Sequence, residues 1–370
     1  MIYLDYQATT PVAPEVAAAM RPWIEEKFAN PHSPSRWGRE AAAAIELARD
    51  QVERALGLAG GCFAFTSGAT EALNWALKGT FEDIKRKKLV TVATEHAAVL
   101  DTAEWLEGKG VDVVRLQVGG DGLIDLDMAE AVIDQNTAMV AVMLVNNEIG
   151  VVQPVAELAQ MAHRAGALML CDAVQGFGRL PVPDGPDLIA ISGHKIHGPK
   201  GVGGLWMRAG VEPEPLLHGG GQEQGLRSGT LAPALCVGMG EAARLAAERR
   251  VADAVHVEKL SEIALTTLGQ GWIINGDLGH RYRGNLNLRR DGLDGARLIS
   301  DMRNIAFSLG SACASGSGRP SHVLRALGLS DREARSSIRL GFGRYTGEEE
   351  LASACRRINE AAHEQAQLPA

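Results

Sequence analysis

Short apolar runs alternate with helical-period stretches through the first two thirds of the chain. Strands are expected over 63–66, 89–93, 111–116, 139–145, 167–171 and 187–192, and helices over 69–78, 99–108, 126–133 and 155–165. Continuous apolar runs of strand length indicate strands buried on both faces. Their alternation with helices predicts an α/β fold built on a mostly parallel sheet covered on both sides. After Gly240 the texture changes. A charged helix is expected over 241–254, then a short strand over 272–275, a segment over 285–288, and helices over 295–302, 320–326 and 347–362. The pattern predicts a large domain over 16–250 and a smaller α+β domain from 1–15 and 251–370, with no internal repeat and no low-complexity linker.

Length supports two domains, since 370 residues can bury a large core. A hydrophobic share of 46% with 22% charged residues places the chain among globular enzymes. The net charge of -8 argues against a general nucleic-acid surface. No apolar run approaches the length of a membrane span, and the first residues lack a basic stretch followed by an apolar one. The expectation is a cytoplasmic protein with neither membrane nor direct nucleic-acid partners. Five scattered cysteines, Cys62, Cys171, Cys236, Cys313 and Cys355, form no close pair, which suits a reducing compartment and predicts no metal site.

The strongest chemical signal is the pair formed by Asp172 and the segment Ser192, Gly193, His194 and Lys195. Asp172 and Ser192 each close an apolar run, and ligands of open α/β sheets bind at the carboxyl ends of strands. A carboxylate on one strand end and a lysine just past the next are what pyridoxal phosphate requires. The lysine forms the Schiff base, and the carboxylate keeps the ring nitrogen protonated so that the ring acts as an electron sink.

Three loops add candidates. The loop from Thr66 to Glu71 joins a strand to a helix. Its glycine, its free amides and the Thr70 hydroxyl suit an anion such as phosphate. An ordinary N-cap by Ser67 or Thr70 explains the same residues equally well. His96 follows a strand end, where an imidazole can stack on an aromatic cofactor and relay protons, although a solvated loop histidine is the commoner case. The third loop surrounds Cys313 with small residues, from Ser311 and Ala312 to Ser317 and Gly318. Such a segment packs poorly, so its thiol reads as a travelling nucleophile more readily than as a small buried residue. Cys171, inside a strand, reads as core.

With these residues in place, the sequence resembles the cysteine desulfurases of the IscS/NifS-like branch, fold-type I pyridoxal-phosphate enzymes of the class V aminotransferase group. The resemblance rests on 3–11, 66–72, 94–96, 146–150, 172–175, 192–201, 218–223, 227–230, the Cys313 loop and 336–339. It implies a fold-type I transferase whose large domain holds a seven-stranded, mostly parallel sheet. It implies that Lys195 holds the cofactor covalently, while Lys200 is a non-catalytic neighbour. Asp172 would pair with the pyridine nitrogen, Gln175 and Asn147 would contact the ring or its 3-oxygen, and His96 would stack and move protons. Ala69, Thr70, Ser192 and His194 would bind the phosphate. Thr230 would reach the neighbouring site of a homodimer, and Arg339 would grip the carboxylate of L-cysteine, with Asn147 beside it. The implied reaction converts L-cysteine to L-alanine, with sulfur passing as a persulfide on Cys313 to acceptor proteins for Fe–S assembly, tRNA thiolation or molybdenum cofactor sulfuration.

The stretch from Arg208 to Pro215 departs from the branch. It carries Glu212 and Glu214 where a basic cluster is usual. Gln224 stands where an arginine is common, and the tail from Glu364 to Ala370 is short. These departures leave the implied chemistry intact and point to an atypical set of acceptors among scaffold and sulfur-relay proteins.

Overall fold

The computed structural model describes residues 1–82, 86–310 and 320–367. The chain opens with strand β1 (Ile2–Tyr3) and helices α1 (Pro14–Glu25) and α2 (Arg36–Leu56). The alternation follows as β2 (Gly61–Thr66), α3 (Ala69–Phe81), β3 (Lys88–Val92), α4 (Ala97–Glu107), β4 (Asp112–Leu116), α5 (Leu126–Val132), β5 (Thr137–Met143), α6 (Val155–Arg164), β6 (Leu168–Asp172), β7 (Leu188–Ser192) and β8 (Gly203–Arg208). These strands, β2 to β8, form one seven-stranded sheet in the order β2-β8-β7-β6-β5-β3-β4. Its pairs are parallel except where β8 runs antiparallel to β2 and β7.

Alternate residues of the same strands feed two separate cores. Phe63, Val90, Val140, Met169 and Ile189 point to the face covered by α1, α2, α6 and α7 (Pro233–Leu268). Ala64, Leu89, Met139, Leu170 and Leu188 point to the face covered by α3 and α4. Burial on both faces is why these strands read as unbroken apolar runs.

The chain continues from α7 through β9 (Ile273–Ile274), β10 (Asn285–Arg289), α8 (Gly295–Asp301), β11 (Ile305–Ala306), α9 (His322–Ala326), α10 (Asp331–Arg335), β12 (Ser337–Gly341) and α11 (Glu348–Gln367). Antiparallel β12-β10-β9 forms a small sheet, and β1 pairs in parallel with β11. A further apolar cluster joins Leu4 to Leu260, Leu288, Ile338 and Ile358. Among the described residues no helix is long and apolar enough to cross a membrane.

Several boundaries differ from the pattern. The helix expected over 241–254 is one 36-residue helix, α7. Gly238 and Gly240 hide its first turns, because glycine ordinarily disfavours a helix. Here they allow close crossing: an added Cβ at Gly240 would come within 2.6 Å of Ala48 Cα in α2, and one at Gly238 within 2.6 Å of Met20 Sδ in α1. The strand expected over 139–145 ends at Met143. Past it, the Asn146 side chain accepts from the Glu148 and Ile149 amides at 2.9 and 3.1 Å and turns the chain. Helices α1 and α2 and strand β8 are not assigned by the pattern at all.

Candidate active site

The predicted loops over 66–71 and 94–96 lie at one edge of the large sheet. The carboxyl ends of β2, β3, β5, β6 and β7 deliver, in turn, Ala69 and Thr70, His96, Asn147, Asp172 with Gln175, and Ser192 with Lys195. Together with His194 and Arg339 they line one cavity of about 1070 Å³.

At the β2–α3 junction the structure separates the two readings of the loop. The cap position is Gly68, and no side chain caps α3, so neither Ser67 nor Thr70 acts as N-cap. The Ser67 side of the turn is held instead by Glu71, which accepts from the Ser67 amide at 2.8 Å and pairs with Arg227 at 2.7 Å. The open start of a 13-residue helix therefore faces the cavity at Ala69 and Thr70, with unpaired amides and the positive end of the helix dipole. The turn also lies against the sheet. A Cβ at Gly203 would sit 2.8 Å from Gly68 Cα.

His96 caps α4, its Nδ1 accepting from the Ala98 amide at 3.1 Å. That bond fixes the tautomer with the proton on Nε2. Asp172 is 6% exposed. One carboxylate oxygen accepts from the Val174 amide at 2.9 Å. Burial holds its pKa above the ordinary range despite the opposing pull of that bond, His96 and Lys195.

Lys195 ends the 3-10 turn Gly193–Lys195. Its amine donates to the carbonyls of Gln7 and of Ala8, the latter at 2.8 Å. Burial, then the charges of Arg179 and Arg339, bring it down to about 7. Lys200 also borders the cavity but is exposed, whereas Lys195 is largely buried. Burial, with the nearby lysines and Arg179, lowers His194 to about 4, which keeps that ring neutral at pH 7.

Arg339, on β12, is 1% exposed. It donates to the Asn147 carbonyl at 2.9 Å and to Asp5 at 2.8 Å, and its Nε has no partner among the described residues. Gln175 Nε2 donates to the Gln7 carbonyl at 2.9 Å.

Two predicted residues stand apart. Thr230 is exposed and does not line the cavity of its own chain. Cys313 lies outside the described residues. Pro320 and His322, a few positions on, border the cavity. The other four cysteines are poor nucleophiles, because burial raises each thiol, Cys236 and Cys355 to about 12.

The sequence reading missed Asp5, the Gln7 and Ala8 carbonyls, Glu95 and Arg179. Glu95 is fully buried, accepts from the Met143 amide at 2.7 Å, and is pushed well above the carboxylate range by burial and then by Asp172. A strand-end position beside Asp172 was the available signal for Glu95. Nothing local marks the others, which work through backbone atoms or long-range contacts.

The donor set fits pyridoxal phosphate. Among the described residues a buried carboxylate has no cation bonded to it, a lysine amine is held to about 7, and an uncapped helix start opens beside them. The family model described as aminotransferase class-V matches residues 2–353. A "Cysteine desulfurase IscS" of Rickettsia bellii (strain OSU 85-389) is 44% identical over 374 residues, covering 97% of this chain and 91% of the relative. A solved "NifS-like protein" superposes with a TM-score of 0.90 at 34% identity, covering 98% of this chain and 99% of its own. The structure described as "SspA in complex with cysteine" gives a TM-score of 0.84 at 35% identity, covering 94% and 100%.

Proposed function

We propose that this chain, which belongs to the class-V aminotransferase family, is a pyridoxal-phosphate-dependent cysteine desulfurase of fold type I. The observation that carries the reading is the convergence of Lys195, Asp172, Gln175, Asn147 and Arg339 on one cavity, from four separate segments. Relatives over nearly the whole chain carry that activity in their names.

Pyridoxal phosphate, held covalently on Lys195, supplies an electron sink for the bond broken at the substrate Cα. Asp172 would pair with its ring nitrogen, and a cation there would draw the carboxylate back to its ionised form. Ala69, Thr70, Ser192 and His194 would hold the phosphate, the first two through free helix amides. His96 would stack on the ring and, with its proton on Nε2, serve in proton transfer. Arg339 would meet the carboxylate of L-cysteine through its unpartnered Nε, while Asp5 holds the guanidinium at Nη2.

Lys195, once released, takes the Cα proton in its neutral form. The Cys313 thiolate attacks the sulfur of the substrate. The S–S bond forms as the Cβ–S bond breaks, the electron pair stays with the substrate carbon, and a proton added at Cβ, with the Cα proton returned by Lys195, completes L-alanine. The sulfur remains on Cys313 as a persulfide for transfer to an acceptor protein. Incubating purified protein and cofactor with L-cysteine, against C313S, tests this reading. Alanine from the parent, with persulfide on Cys313, supports it; alanine undiminished in C313S overturns it.

The finer assignments belong to the same proposal. Thr230, exposed beside the Arg227–Glu71 pair, would reach the phosphate of a second copy, so the enzyme would be a homodimer with shared sites. Scattering mass and cofactor affinity of T230A check both points. The chain would divide into a large domain over 16–250 and a smaller one from 1–15 and 251–370, a division supported by the separate cluster around Leu288 and Ile338. The acceptor set would be atypical. Arg208, the base of the acidic stretch, is already paired with Asp184 at 3.1 Å and Asp187 at 3.3 Å, and among the described residues Glu212 and Glu214 have no ion pair. Tight capture of an IscU-type scaffold would count against that. A cytoplasmic location completes the reading.

A further inference from the structure

Arg179 lies in the turn after Gln175, behind the lysine, and its charge has no counterion among the described residues. Its guanidinium donates to Gln175 Oε1 at 2.5 Å, to the Gln175 carbonyl at 3.3 Å, and to the Lys195 carbonyl at 3.1 Å. It lies 5.2 Å from the Tyr282 ring centroid. Every one of these partners is neutral, and no carboxylate lies within ion-pair distance of Arg179 among the described residues.

Two consequences follow. A guanidinium can only donate. The Gln175 amide must therefore turn its oxygen toward Arg179 and its nitrogen the other way. One N–H of that nitrogen goes to the Gln7 carbonyl. The second is the side chain's one remaining donor, and Gln175 borders the cavity. The unneutralised charge also acts on Lys195, whose carbonyl the same guanidinium binds. In a region this poor in water a full charge acts strongly over such distances.

We propose that Arg179 is a positioning residue: its guanidinium fixes the polarity of the Gln175 amide and sets the electrostatic field at the Lys195 amine. The inference rests on the site reading above and deepens it. It assigns to a residue behind the site the control of which ligand oxygen Gln175 can serve, namely an acceptor such as a phenolate. A lysine at 179 would keep the charge but lacks the planar fork that reaches Gln175 and Lys195 together.

The other charged groups around Lys195 bound the argument. Arg339 on β12 and His194 in the same turn face it, as do Asp5 after β1 and Asp172 on β6. A small pocket of about 40 Å³ behind the lysine adds Arg250 and Asp253 from α7, Arg344, His197, Tyr6 and Tyr282. Arg344 is paired with Asp253 at 2.8 Å. Arg179 is the charge that acts most on the lysine: burial is the first cause of its depression and Arg179 the second.

The test is the pH dependence of Lys195 acylation in the cofactor-free full chain, with acetic anhydride as probe and the 195-containing peptide read by mass spectrometry. It needs no turnover, so a failure of the desulfurase reading and a failure of this inference are separable. R179M should move the midpoint upward by about one pH unit, because a positive neighbour has been removed. R179K should leave it close to the parent. In cofactor-loaded protein R179K should still shift the visible absorption band, since Gln175 is no longer held. A parent-like midpoint in R179M overturns the electrostatic half. A parent-like band in R179K overturns the positioning half. An equal upward shift in R179K and R179M, which a purely structural role predicts, overturns the assignment altogether.

Discussion

The two walls of the cavity are built by different means. One is the edge of the large sheet, where each residue arrives on a strand end: Asp172 closes β6, and Lys195 follows β7 by three positions. The other is built by the two ends of the chain. Asp5 and Arg339 are 334 positions apart and meet at 2.8 Å, beside a parallel bridge between Asp5 and Gly341. On the proposed reading, the sheet edge would carry the groups for the cofactor, and the joined ends those for the substrate. The difference teaches that the proposed cofactor groups are a local property of strand termini, whereas the proposed substrate groups meet only once the fold has closed.

The sharpest way to break that division is K195A. It should abolish covalent cofactor retention and lower alanine formation by about a thousandfold or more, while the circular dichroism spectrum stays that of the parent. Retained cofactor absorbance with intact activity would remove Lys195, and with it the sheet-edge wall, from the chemistry.

R339A tests the other wall. It should lower kcat/KM for L-cysteine by about a hundredfold while the protein still binds cofactor with near-parent affinity. Part of the cost is the Asp5 carboxylate left without its partner in a buried site. The double variant D5N/R339A should then be no more impaired than R339A. A variant that loses cofactor and substrate together would show the walls are not separable.

G203A is expected to act more weakly and on the cofactor side alone. The new methyl would come within 2.8 Å of Gly68 Cα and 2.6 Å of the Ile191 carbonyl. Displacing the phosphate turn by overpacking should cost about tenfold in cofactor affinity, measured by fluorescence titration, with KM for L-cysteine nearly unchanged.

The same contrast explains what could be read from the sequence. Asp172, Lys195 and His96 were legible because a strand end places its polar residue at a known edge, and the apolar runs that mark such ends are continuous. The carbonyls of Gln7 and Ala8 were not, since backbone acceptors carry no residue signal. Strand β8 was missed because it begins with two glycines. They are required by packing: a Cβ at Gly204 would overlap the Phe63 ring at 2.0 Å. Helix α2 was missed because its buried stripe starts on Gly38 and Ala41 and uses Ala48, which contribute little to an apolar pattern. Arg179 reads as an ordinary turn arginine, and only the fold places it behind Lys195.

The smallest effect is electrical, and it joins the two walls. Lys195 acts as a base only when neutral, so alanine formation in a single turnover should rise about tenfold per unit as pH approaches 7 from below. The joined ends act on that midpoint in opposite senses: Arg339 lowers the lysine and Asp5 raises it. D5N removes the negative member alone, so the acid limb should move to lower pH, by about half a unit. An upward move would mean that Asp5 acts on Lys195 by a route other than its charge. An unmoved limb would mean that the Asp5 charge is not felt at the lysine, and the two walls would then be electrically as well as topologically distinct.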